Sequence, residues 1–253
     1  MYRAVKAEKP WVQVGISPFG LWRPGHPPEV TGFDPYVQIY ADSRKWLREG
    51  WVDYFTPQLY YRMDQRGQWY PVVLKWWTEQ NVHGRHIWPG NFTSRVGCGS
   101  SSWPAGEILQ QIEATRTQEG AGGNIHFSMR VLMRNAEGIA DLLRQGPYAE
   151  PALVPATPWL GDEAPGQPVV SLATGAESRD IVLRIEPAAG VAPWLWVIQS
   201  RRDGDWRTEI VPARERTVRL EAGADRPDVI AISAVSRTGI KGKPVLVRLK
   251  PAA

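Results

Sequence analysis

Four short apolar runs, at residues 11–17, 52–59, 85–89 and 124–129, alternate with segments of helical periodicity through the first 150 residues. Each run is largely apolar along its whole length, the pattern of a strand covered on both faces in a parallel sheet. Each is followed by a polar loop bearing Gly or Pro and then by a helix candidate, at 40–49, 70–81, 104–119 and 135–145. That order predicts consecutive βαβ units. The third helix has the clearest ends. Ser102 is placed to cap it, Pro104 suits its first turn, Ile108, Leu109 and Ile112 recur at helical spacing, and Gly120 stops it. The fourth starts after Asn135, a capping residue, and ends at Gly146-Pro147. Ahead of the first run, YRAVKAEKP reads as a helix ended by Pro10. Its periodicity fits either the last turns of a longer helix or a short helix of one or two turns.

The chain changes character near residue 160. Ten of its 13 Trp, and every Tyr and Phe, lie before that point. Residues 147–168 are proline-rich and aperiodic, as a strap and linker would be. Seven strand candidates follow, at 169–172, 180–186, 194–201, 207–211, 217–220, 229–236 and 245–249, with turn signals at Asp203-Gly204 and Thr238-Gly239. Seven short strands in this span predict an immunoglobulin-like or fibronectin type III-like sandwich, with Trp194, Trp196 and Trp206 as core or inter-domain packing residues. The expected organisation is an α/β unit over 1–160, a linker over 161–168 and an all-β unit over 169–253.

The formal net charge of +4 is spread over 30 basic and 26 acidic residues without a run of like charge, which argues against a nucleic-acid partner. Cys98 is the only cysteine and stands in a Gly/Ser loop, away from any metal-ligand spacing. The histidines, His26, His83, His86 and His126, form no i, i+4 pair, and His86 and His126 fall within strands as interior imidazoles. Dinucleotide, Walker and serine-hydrolase signatures are absent, and no cofactor or metal is indicated. No apolar run reaches the roughly 18 residues of a membrane span, and the first residues lack the apolar core of a signal peptide.

In parallel α/β folds the chemistry sits at the C-terminal ends of strands. Those ends carry Ser17, Phe19, Trp22, Arg23 and His26 after the first run, and Gln58, Tyr60 and Tyr61 after the second. Trp88 and Asn91 follow the third run, and Ser128 and Arg130 the fourth. Flat rings beside amide, hydroxyl and guanidinium groups suit a sugar, whose C–H face needs cover and whose hydroxyls need partners. A glycan is therefore the expected ligand, and these twelve residues the expected binding set. Each aromatic taken singly also fits a packing role under the loops. Carboxylates for glycoside hydrolysis are harder to find, since Asp53 starts its strand and Glu29, Asp34 and Asp64 lie in loops. No catalytic residue is assigned.

The blocks ISPFGLWR (16–23), DYFTPQLYY (53–61), VLKWW (73–77), EILQQIEATR (107–116), GGNIHFSM (122–129) and LVPATPWL (153–160) resemble, in order and spacing, the bacterial family-ten glycosyl-hydrolase-like proteins. The resemblance covers about residues 1–160. It implies a TIM-type barrel enzyme of the cell envelope, periplasmic or secreted, that hydrolyses glycan chains, including peptide-free peptidoglycan strands. A fibronectin type III-like domain after the barrel is also implied. The blocks correspond to the fifth to eighth barrel strands, so the resemblance implies the C-terminal half of a barrel and a truncated chain without the family's catalytic carboxylates. Half a barrel leaves two open sheet edges, which implies either self-association through them or poor stability outside the β-sandwich. The alternative expectation is a non-catalytic carbohydrate-binding or scaffold protein.

Overall fold

A computed structural model describes residues 1–173, 181–220 and 227–249. The chain divides into two compact units, Met1–Ala149 and Glu150–Ala253.

In the first unit the four apolar runs become four short parallel segments in sequence order. Strands β1 (Gly15–Ile16), β2 (Tyr54–Phe55) and β3 (His86–Ile87) form one ladder, with Gly15 opposite Tyr54 and Tyr54 opposite His86. Strand β4 (Gly90–Asn91) continues the third run and pairs with β5 (Ile125–His126). Parallel bridges Phe19–Gln58, Gln58–Gly90 and Ile87–Ala121 join the ladders, so the backbone pairing runs unbroken from the first segment to the fourth. Between the segments lie α2 (Pro35–Gln38), α3 (Ser43–Arg48), α4 (Tyr70–Gln80) and α5 (Ala105–Thr117). Helix α1 (Tyr2–Glu8) precedes them, and α6 (Met129–Met133) and α7 (Ile139–Gln145) close the unit.

Strand alternation fixes what faces the helices. Phe55 and Ile87 share one face, and the Phe55 ring lies 4.7 Å from that of Trp77 on α4. Tyr70, Val73, Leu74 and Trp77 are buried at i, i+3, i+4 and i+7, one stripe of α4 against the sheet. The Trp77 indole donates to the Gly20 carbonyl at 2.6 Å, which ties the loop after β1 to that helix. Helix α5 buries Ile108 and Ile112 on its apolar stripe, but Gln111 and Thr115 as well.

Three local expectations change. Ser102 does not cap α5; its hydroxyl accepts from Gly97 N at 2.8 Å and donates to Glu137, which leaves Pro104 as the cap residue. The fourth run stops at His126, and Met129, its expected last residue, opens helix α6 instead. Asn135 is not the cap residue of α7, which is Gly138; it precedes a 3₁₀ turn (Ala136–Gly138), and from there its Oδ1 accepts from Ala140 N at 2.9 Å and Asp141 N at 3.3 Å in the first turn of α7.

Among the described residues the second unit is a seven-strand sandwich. Strands β6 (Val169–Ala173), β7 (Ile181–Glu186) and β10 (Thr217–Leu220) form one antiparallel sheet in the order β10-β7-β6. Strands β8 (Leu195–Arg202), β9 (Asp205–Pro212), β11 (Val229–Val235) and β12 (Val245–Arg248) form the other, in the order β12-β11-β8-β9. This division of strands between two sheets is that of the immunoglobulin-like and fibronectin type III-like sandwiches. Asp203 and Gly204 both have positive φ, 49° and 92°, as a two-residue hairpin turn requires. Inward-facing Leu183, Ile185, Trp196, Ile198, Ile230 and Ile232 make the core. Trp196 is fully buried, as expected, whereas Trp194 and Trp206 are 51% and 46% exposed and are not core residues. Residues 150–168 go with the sandwich: Thr157 N donates to the Thr238 carbonyl at 2.7 Å.

Candidate functional site

The sheet face opposite α4 carries Gly15, Ser17 and Phe19 from the first segment and Tyr54, Thr56 and Gln58 from the second. His86 and Trp88 come from the third, all by period-two alternation. Its rings stack in two groups. Trp88 lies between Tyr54, 5.0 Å away at 24°, and His86, 5.0 Å away at 10°. Nearer the strand ends Tyr60 stacks on Phe92 at 4.7 Å and on Phe127 at 5.6 Å. Phe127 is 51% exposed and Phe19 47%, so the face offers accessible rings at its rim. The packing depends on small residues. A Cβ on Gly15 would collide with the Tyr54 ring, and one on Gly123 would lie 3.3 Å from Trp88.

Polar groups stand among the rings. Gln58 Nε2 donates to the Ser17 carbonyl at 3.0 Å, which fixes the amide beside the rim of the face. The Tyr60 hydroxyl is held protonated above its ordinary range by burial. Thr56 Oγ1 and Trp88 Nε1 are buried without a hydrogen-bond partner.

Of the twelve residues expected to bind, this face brings together Ser17, Phe19, Gln58, Tyr60 and Trp88. Trp22, Arg23 and His26 form a separate cluster: Trp22 stacks on Trp76 of α4 at 6.0 Å and donates to Asp42 at 3.0 Å, with the His26 ring 4.8 Å from it. Arg23 pairs with Asp34 at 3.3 Å and covers the Tyr36 ring. Tyr61 turns to the core, where burial pushes its hydroxyl up to about 12. Ser128 meets Ser94 at 3.3 Å, and Arg130 is exposed on α6.

Asn91 is fully buried behind the sheet. Its amide donates to Gln111 at 2.9 Å and Tyr70 at 3.3 Å, and its carbonyl accepts from Asn124 at 2.9 Å. The network continues through Thr115 to Tyr70 at 2.8 Å and through Gln111 to Glu107 and the Tyr61 carbonyl. Asn91 therefore locks α4 and α5 to the sheet. The alternation that puts Phe55 and Ile87 behind the sheet also puts Tyr61 and Asn91 there. Tyr54, His86, Phe92 and Phe127, which the strand-end reading passed over, follow from the same alternation.

Five carboxylates of the unit are engaged elsewhere, and Glu29 is exposed in its loop. Asp53, fully buried, accepts from Tyr2, Lys6 and Val14 N at 2.6–2.8 Å and anchors α1. Glu107 accepts from Met63 N at 2.7 Å, Asp34 caps α2, Asp42 caps α3, and Asp64 pairs with Arg62. None belongs to the alternating set that makes the aromatic face. His126, also behind the sheet, bonds Thr93 at 2.8 Å and Tyr148 at 2.9 Å, and burial lowers it to about 4. Among the described residues no cluster of His, Cys, Asp or Glu could hold a metal ion, and no helix is long and apolar enough to cross a membrane.

The described residues form parallel βα units with an aromatic and amide strand-end face, followed by a β-sandwich, an α/β plus all-β organisation. Residues 1–102 match the family model described as glycosyl hydrolase-like 10, and over that stretch the chain is a family-ten glycosyl-hydrolase-like protein. It is 36% identical over 189 residues to glycosyl hydrolase YngK of Bacillus subtilis (strain 168), an alignment covering 71% of this chain and 37% of that protein. It is 38% identical over 79 residues to glycosyl hydrolase DigH of Escherichia coli (strain K12), covering 30% of this chain and 18% of that one. The chain thus spans just over a third of the first relative and under a fifth of the second. The FN3 domain of human collagen XX is aligned at 24% identity and a TM-score of 0.29, over 39% of this chain and 100% of that domain.

Proposed function

We propose that this chain takes part in the recognition of bacterial cell-wall or related polysaccharide glycan chains, and that its first unit is one half of a (β/α)₈-type barrel. The observation that carries the reading is the aromatic face, with Tyr60, Phe92 and Phe127 stacked at the strand ends and Trp88, Gln58 and Ser17 beside them. Four parallel segments in sequence order with intervening helices support the barrel half. Its part in the chemistry is grip and orientation. Asp34, Asp42, Asp53, Asp64 and Glu107 serve as caps, anchors and salt-bridge partners, so the acid/base pair that glycoside hydrolysis needs is assigned to none of them.

That same engagement of the carboxylates favours a second reading, a non-catalytic carbohydrate-binding protein. Turnover separates the two. Peptide-free peptidoglycan strands are incubated with the chain alone and with the chain plus the remaining length of a family relative. Binding without hydrolysis by the chain alone, and hydrolysis on addition, supports the half-site; binding without hydrolysis in both supports the second reading. Robust hydrolysis by the chain alone overturns both.

The outer edges of β1 and β5 have no strand partner among the described residues. Unpaired edges are templates for another chain, and we propose that two copies meet there. Light scattering at twice 28.4 kDa supports this, and a monomer mass refutes it.

A further inference from the structure

We infer that the β-sandwich carries a glycan site of its own, on the outward face of its four-stranded sheet, for oligosaccharides that bear carboxylate groups. The choice of a glycan as ligand rests on the reading of the aromatic face; the surface itself is independent of it. The sheet registers place Trp206 opposite Arg201, Arg201 opposite Val229, and Val229 opposite Arg248, one transverse row across β9, β8, β11 and β12. Partners opposite one another in an antiparallel sheet share a face. Inward positions of the same strands are Trp196, Ile198, Ile230 and Ile232, so the row faces outward.

Trp206 is 46% exposed and Leu246, one pair further along β12, is 58% exposed. With Asp228 they line a depression of about 470 Å³, within the usual range of small-molecule sites. Three inter-strand spacings separate Trp206 from Arg248, about 14 Å, a span for an oligosaccharide instead of a single sugar.

The chemistry matches an acidic sugar chain. A half-exposed indole at the edge strand offers its face to pyranose C–H groups. Arg201 is oriented, its Nε 3.2 Å from both oxygens of Asp228 and its Nη2 2.5 Å from one of them, with the guanidinium 5.8 Å from the Trp206 ring. This pair gives the platform a fixed array of donors and an acceptor for sugar hydroxyls. Arg201, Arg248 and Asp228 line the depression, two guanidinium groups to one carboxylate, and exposed Arg248 presents a planar fork suited to a carboxylate on the ligand.

The test titrates the full chain by calorimetry with an acidic probe, oligomers of alternating N-acetylglucosamine and N-acetylmuramic acid, and a neutral one, N-acetylglucosamine oligomers. Two classes of site are expected for the acidic probe. Trp206→Ala removes one, and Arg248→Gln weakens that same one about tenfold while leaving the neutral probe unaffected. Phe127→Ala removes the other. Wild-type titrations from both Trp206→Ala and Arg248→Gln overturn the sandwich site and leave the aromatic face standing. Loss of all binding in Trp206→Ala with none in Phe127→Ala removes the aromatic face and keeps the sandwich site. Equal affinity of that site for neutral and acidic probes refutes the carboxylate preference, and no binding of either probe refutes both sites.

Discussion

Replacing Asn91 by Ala separates a structural amide from a ligand-binding one. The side chain is fully buried and makes three hydrogen bonds, to Gln111, Tyr70 and Asn124. In the variant Gln111 Oε1 loses its donor, whereas the Asn124 amide keeps the hydroxyls of Tyr70 and Thr115. One orphaned buried acceptor costs about 1–3 kcal/mol, and the void left by the carboxamide adds to it. The sum is roughly 3 kcal/mol. For a domain of this size each kcal/mol moves the midpoint about 2–4 °C, so the α/β unit should melt about 6–12 °C lower. Scanning calorimetry reads this directly, with the sandwich transition as internal control. A midpoint within about 2 °C of wild type, together with lost glycan binding, would refute the reasoning and return Asn91 to the binding set.

Gly15→Ala forces the Tyr54 ring aside; overpacking of this kind costs about 1–3 kcal/mol, and near-ultraviolet circular dichroism should show the Tyr54–Trp88 stack disturbed. Trp22→Ala should destabilise the unit by about 2 kcal/mol through lost contact with Trp76 and leave glycan affinity unchanged. Burial holds Tyr61 and Tyr70 at about 12, above the value near 10 of an unfolded tyrosine. Their contribution is complete below about pH 10 and is lost as pH rises towards 12, so alkaline melting should begin in that window, with ultraviolet titration showing late-ionising tyrosines. Burial lowers His126 from 6.5 to about 4, so the unfolded chain binds the proton first. Stability should fall as pH drops from about 6.5 to 4, and His126→Gln should flatten that slope in acid melts.

The sandwich was legible because its signals are local. Period-two alternation and turns such as Asp203-Gly204 locate seven strands, with Asp180, one end of a candidate, outside the described residues. Helix α4 was legible for a similar reason, since its apolar stripe is continuous. The aromatic face was only half legible. Strand ends identified Gln58, Tyr60 and Trp88, but sorting residues by type instead of by parity put Tyr61 and Asn91 with them and passed over Tyr54 and Phe127. The buried network was hidden for a different reason. Gln111 and Thr115 read as the polar side of an amphipathic helix, and only the fold brings them to Asn91 and Tyr70. The exposure of Trp206 lay beyond pattern reading too, because an indole on an edge strand scores alike whether it packs inward or outward.

Sugar binding by the aromatic face is the central claim. Equilibrium binding to peptide-free peptidoglycan strands of the full chain carrying Trp206→Ala, so that the aromatic face alone is read, compared with the same chain bearing Phe127→Ala or Trp88→Ala and melting alike, measures this most directly. Saturable binding weakened at least tenfold, about 1.4 kcal/mol, by either substitution is the predicted result. Affinity unchanged in both variants would contradict it.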